Sequence, residues 1–106
     1  MTSAFIVYTT VPNRAQAKRM AAILVREKLA ACVSMVPGVR STYRWKGKVE
    51  TASEVLIMMK TLKSRYPSLA RRIGQLHSYA VPEIVAVPVA RGGKSYLQWL
   101  ADSLHR

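Results

Sequence analysis

The residues of this chain best suited to chemistry are one cysteine, two histidines and a few carboxylates placed at the edges of apolar runs. Cys32 could ligate a soft metal as its thiolate. It also lies in the apolar run Ala30-Ala31-Cys32-Val33, where a cysteine more often packs as a small hydrophobe. His77 is followed closely by Tyr79 and Glu83, which fits either a cleft histidine, with metal ligation among its uses, or one that caps helix carbonyls. His105, at the end of the chain, reads as a solvated side chain. Glu54 and Glu83 each precede an apolar run, and a carboxylate there needs a partner. Lys60 ends the run Val55-Leu56-Ile57-Met58-Met59 and offers that partner or an anion contact; structural pairing is the expected reading for all three. Arg91-Gly92-Gly93-Lys94 lacks the Walker spacing of a phosphate loop and reads as a turn.

The elements that must position these residues centre on a hairpin. Val39, Ser41, Tyr43 and Trp45 alternate with Arg40, Thr42 and Arg44, the period-2 signature of an extended chain with two unlike faces. Lys46-Gly47 supplies the glycine of a tight two-residue loop. That loop places Trp45 opposite Lys48 and Tyr43 opposite Glu50, on one side of the ribbon. Trp45 at such a tip has little core of its own, which favours an interface or cleft role. Trp99 fits core or interface.

Around the hairpin, Ala4 to Val11 reads as strand one. Asn13 with Gln16 forms a capping-box spacing before a helix that runs to about Leu29. Strand two spans Ala31 to Trp45 with a kink at Pro37-Gly38, and strand three spans Lys48 to Thr61. A second helix enters near Pro67, strand four covers Ile84 to Val89, and Ser95 with Gln98 repeats the capping-box spacing before a closing helix. The order βαββαβ plus a helix is that of a ferredoxin-like α+β fold, one domain over residues 1–106. Both main helices of that fold cover one sheet face. Strands one, three and four are nevertheless apolar on both faces, and a short terminal helix cannot cover four strands. A sheet-to-sheet homo-oligomer is therefore expected.

Seventeen Lys+Arg against five Asp+Glu give a net charge of +12, which favours small anionic ligands and anionic polymers. The cations are scattered over two helices and the hairpin, and no aromatic RNA-binding motif lies on a strand. Non-specific nucleic-acid binding remains the alternative function, without a specific nucleic-acid partner. A small acylphosphatase-like hydrolase is a lesser one, for which no phosphate-gripping constellation is evident. No apolar run approaches a membrane span, no secretory signal pattern opens the sequence, and one cysteine excludes an intrachain disulfide framework, so a cytoplasmic protein is expected.

The segments Ala30-Ala31-Cys32-Val33, Val36-Pro37-Gly38, Tyr43-Arg44-Trp45-Lys46-Gly47-Lys48-Val49-Glu50, Lys60-Thr61, His77-Ser78-Tyr79-Ala80-Val81-Pro82-Glu83-Ile84 and Tyr96-Leu97-Gln98-Trp99-Leu100 together resemble the CutA divalent-cation tolerance family. The resemblance runs in order over nearly the whole chain. It implies a ferredoxin-like subunit in a homotrimer of PII-like architecture and no established enzyme activity. It also implies inter-subunit clefts lined by Tyr43, Trp45, Lys48, Glu54, Lys60, His77, Tyr79, Glu83 and Trp99. Tolerance to copper and other divalent metals is the family's label, so copper is the implied metal, with His77 and Cys32 as the ligands this chain could offer. Where some bacterial members carry a cysteine and a second histidine, this chain has Thr9 and Leu76, and Ala80 stands where a polar residue is common. Copper binding is accordingly expected to be weak.

Overall fold

The computed structural model describes residues 2–105. Ala4–Val11 forms β1, Cys32–Trp45 forms β2, Lys48–Leu62 forms β3 and Val85–Pro88 forms β4. They pair in one antiparallel sheet of order β2-β3-β1-β4. Helices α1 (Arg14–Arg26), α2 (Tyr66–Leu76) and α3 (Lys94–Ser103) complete the chain. This is the expected ferredoxin-like α+β arrangement, in which two crossovers place α1 and α2 on one sheet face.

Strand alternation builds the core. Val7 and Val11 of β1 and Val55, Ile57 and Met59 of β3 point to one face. There they meet Ala17, Met20 and Leu24 of α1 and Leu69 and Ile73 of α2, all buried. Asn13 caps α1 through its side chain, which accepts from the Gln16 N–H at 2.9 Å. The reciprocal half of a capping box is missing, because Gln16 Oε1 instead accepts from the Ser78 hydroxyl.

Helix α1 stops three residues short of Leu29. The N–H of Lys28 bonds Val25 O and that of Leu29 bonds Leu24 O. Lys28 takes φ 59°, so a Schellman turn closes the helix with lysine in the position glycine usually holds. Helix α3 begins at Lys94 with Gly93 as its cap, and Ser95 makes no capping bond; Gln98 reaches forward to Asp102 instead. The chain bends where expected, with a register shift between Val36 and Val39 and φ 74° at Gly38.

The second sheet face is only partly covered. Helix α3 lies across one end of it, packing Leu100 and Leu104 on Ala4, with Ala31, Leu62 and Val89 around them. Beyond that end the face carries Ile6, Tyr8, Leu56 and Met58, together with Val85 (48 % exposed) and Val87 (49 % exposed). The β2–β3 hairpin projects past the body and stretches the molecule to 44 × 26 × 23 Å. Among the described residues no helix is long and apolar enough to cross a membrane.

Candidate functional site

The hairpin folds as its loop residues require. Lys46 and Gly47 take φ values of 50° and 80°, the doubly positive pattern of a type I′ turn whose twist matches the strands it joins. The register that follows pairs Tyr43 with Glu50 and Trp45 with Lys48. Ser41, Tyr43, Trp45 and Glu50 therefore share one side of the ribbon, and Glu54 lies one further step of four along β3. Arg40 and Arg44 project from the other side. Across from the first side runs the segment 78–83 between α2 and β4. A cleft of about 890 Å³ opens between them, lined chiefly by Tyr43, Trp45, Glu50, Glu54, Tyr79 and Glu83.

A relay of hydrogen bonds sets the inner wall. His77 is 8 % exposed, and its ring joins β1 to the segment after α2. Nε2 lies 2.8 Å from Thr10 O, and Nδ1 accepts the Tyr79 N–H at 3.1 Å. Those partners require the tautomer with the proton on Nε2, because a carbonyl can only accept. The Tyr79 ring leans on the His77 ring at 4.8 Å between centroids. Its hydroxyl donates to Glu54 Oε2 at 2.8 Å. Burial, then the bond to Glu54 and its charge, push the Tyr79 phenol up to about 12.

Charge in the cleft runs against the rest of the molecule. The chain has five acidic residues, and Glu50, Glu54 and Glu83 all line this one cavity. Of the other two, Glu27 is held by Arg72 on the exposed α1–α2 surface at 2.9 and 3.0 Å, and Asp102 accepts from Gln98. Hydrogen bonding by Arg72 draws the Glu27 carboxyl below its ordinary value. Among the described residues that is the only ion pair.

The structure gathers Tyr43, Trp45, Glu54, Tyr79 and Glu83 within one chain and places His77 directly behind them. It does not gather the rest. Lys48 faces Trp45 at the exposed tip but does not line the cavity. Lys60 is on the partly covered sheet face, 2.6 Å from Ser34 Oγ and 4.0 Å from Cys32 Sγ. The expected pairing of Lys60 with Glu54 is thus replaced by two separate contacts, because each polar group finds a neutral hydroxyl on its neighbouring element. Trp99 stacks on Tyr96 of α3 with centroids 5.6 Å apart, away from the cleft. Glu50 was not singled out as a site residue, although its register opposite Tyr43 was the signal that could have named it.

For a metal the donor set is poor. Both His77 nitrogens already have backbone partners, and Cys32 stands far along β2 from the hairpin tip. Among the described residues no three His, Cys, Asp or Glu side chains converge on one point. Of the two residues that could offer a metal ligand, His77 closes α2 and Cys32 opens β2, and neither joins two further such side chains among the described residues. What remains is an arrangement for binding, with aromatic faces and carboxylates at the mouth and a hydrogen-bonded wall behind. A second, more open cavity of about 550 Å³ lies by Ser3, Leu62 and Lys63 and contains no comparable constellation.

Comparison with known proteins agrees with this architecture. The family described as CutA1 divalent ion tolerance protein matches residues 5–103. The divalent-cation tolerance protein CutA of Thermus thermophilus is 47 % identical over 98 residues, 92 % of this chain and 95 % of its own length. The chloroplastic protein CutA of Arabidopsis thaliana is also 47 % identical over 98 residues, 92 % of this chain, and the chain spans only 54 % of that relative's length. The crystal structure of CutA from Xylella fastidiosa superposes with a TM-score of 0.96 at 36 % identity, covering 98 % of this chain and 100 % of that one. With the fold, the hairpin and nearly the full length matched, the chain belongs to the CutA1 divalent ion tolerance family.

Proposed function

We propose that this chain acts as a homotrimeric, ligand-responsive binding protein of the divalent-cation tolerance family rather than as an enzyme, with its ligand site in the hairpin cleft at the subunit boundary. The observation that carries the reading is the partly covered sheet face. Ile6, Tyr8, Leu56, Met58, Val85 and Val87 form an apolar surface beside a hairpin that overhangs its own body. Large apolar faces of this kind are interaction surfaces, and further copies of the same chain bring both a matching face and a hairpin to clasp it. In such an assembly the cleft gains a second wall from a neighbour.

The binding character rests on the site chemistry. The one hydroxyl beside a carboxylate in the cleft is Tyr79 on Glu54, and its phenol, pushed up to about 12, stays protonated; His77 is committed to backbone partners, and Cys32 does not line the cleft. Divalent metal, copper included, is a weak ligand in this reading, since the described residues of the single chain hold no ready-made shell of donors. The unpaired Cys32 fits a reducing compartment such as the cytoplasm. Native mass spectrometry at low micromolar concentration tests the assembly. A mass of three chains is expected, and a stable folded monomer would overturn it.

A further inference from the structure

We infer that the hairpin cleft selects an elongated organic cation, one carrying two or more amino or guanidino groups, through Glu50, Glu54 and Glu83 and the rings of Tyr43 and Trp45. The inference deepens the proposed function and rests on the cleft being its ligand site. Net charge alone points the other way, because +12 attracts anions. Local charge decides the matter. Three of the five acidic residues line one cavity, and among the described residues no lysine or arginine lines it. At physiological ionic strength the Debye length is about 8 Å, so cations farther off than that are screened, and the near ones, Lys46 and Lys48, stand beside Trp45 at the hairpin tip.

Glu54 adds a second observation, a hydrogen-bonded carboxylate without a counter-charge. It is only 7 % exposed, lines the cavity, and receives one hydroxyl on Oε2, with no cation paired to it among the described residues. A carboxylate so buried is costly without a compensating charge, and a ligand cation supplies one. The aromatic side adds to this. The Lys46 ammonium already sits 5.9 Å from the Trp45 ring centroid, so that indole accepts a cation in the free protein.

Shape separates an organic cation from a metal ion. Glu50 and Glu54 are four residues apart on an extended strand, roughly 13 Å along it at the usual rise per residue. One point charge cannot touch both, and no three metal-capable groups converge among the described residues. A chain with separated positive groups can reach both carboxylates while its methylenes lie along Tyr43 and Trp45.

Calorimetry of the assembled protein at physiological salt tests this with spermidine and agmatine as probes, against inorganic phosphate and Cu(II). Saturable spermidine or agmatine binding, weakened tenfold or more in the E50Q/E83Q double variant and in Trp45→Ala, is the expected result. All three substitutions lie on exposed positions, and circular dichroism checks that the variants fold. No organic-cation binding up to millimolar concentration would overturn the inference. So would unchanged affinity in E50Q/E83Q, or tighter binding of phosphate or copper at the same carboxylates. Native mass spectrometry of the same samples keeps the two readings apart: a trimer without cation binding defeats this inference alone, whereas a monomer that binds supports it and defeats the trimer.

Discussion

The Tyr79 hydroxyl donates a 2.8 Å hydrogen bond to Glu54 Oε2, tying the segment after α2 to the base of the β2–β3 hairpin. His77 anchors the same segment to β1 through Thr10 O. One wall of the cleft is therefore braced against two strands, β3 and β1, by two neighbouring side chains.

Tyr79→Phe should cost about 1–3 kcal/mol, the range for leaving a buried acceptor unsatisfied. Its pH dependence has a definite sign. The fold favours the protonated phenol, raised from 10.0 to about 12, so the stabilisation is complete below pH 10 and is lost as pH rises from 10 towards 12. Ultraviolet titration of phenolate should show a late-ionising tyrosine that Tyr79→Phe removes. If the variant titrates like the parent, the brace is absent.

His77→Ala should destabilise the protein by about 1–3 kcal/mol, since it orphans the Thr10 carbonyl and the Tyr79 N–H together. Chemical denaturation measures it. Cu(II) should bind the parent only in the micromolar range or weaker, as read on the scale of affinity against free energy. Stoichiometric submicromolar copper binding by calorimetry would contradict the weakness of the donor set.

Val87→Lys separates an exposed face from an assembled one. On a truly solvent-facing strand it should shift stability by no more than about 0.5 kcal/mol. Buried against another copy, an unpaired ammonium should dissociate the assembly. Sedimentation of the variant should therefore show a smaller species than the parent; an unchanged mass would mean that this face is not the contact.

Nucleic acid should bind only through diffuse charge. Arg14, Lys18, Arg19 and Arg26 are on α1, Arg71 is on α2, and Arg40 and Arg44 are on the far side of the hairpin. Filter binding should weaken steeply between about 50 and 200 mM salt and show no sequence preference. Nanomolar affinity for one sequence at physiological salt would contradict the prediction.

Much of this protein is determined within short windows of its sequence. β1 was legible to its end residues, and the strands of the hairpin to within a residue, because period-2 patterning and the Lys46-Gly47 loop are local properties. The ends of α1 and α3 were not, because Lys28 in a left-handed turn and Gly93 as a cap reflect how the following segments dock. Register also put Tyr43 opposite Glu50 in advance. The tertiary structure alone decided which distant groups meet. It brought Tyr79 to Glu54 across 25 residues and His77 to Thr10 across 67, and it set Lys60 beside Ser34 instead of a carboxylate. Those partnerships depend on sheet order and on where α2 delivers the chain, and sequence spacing encodes neither. For the same reason the pooling of three scarce carboxylates in one cleft, within a chain of net charge +12, appears only once the strands are paired.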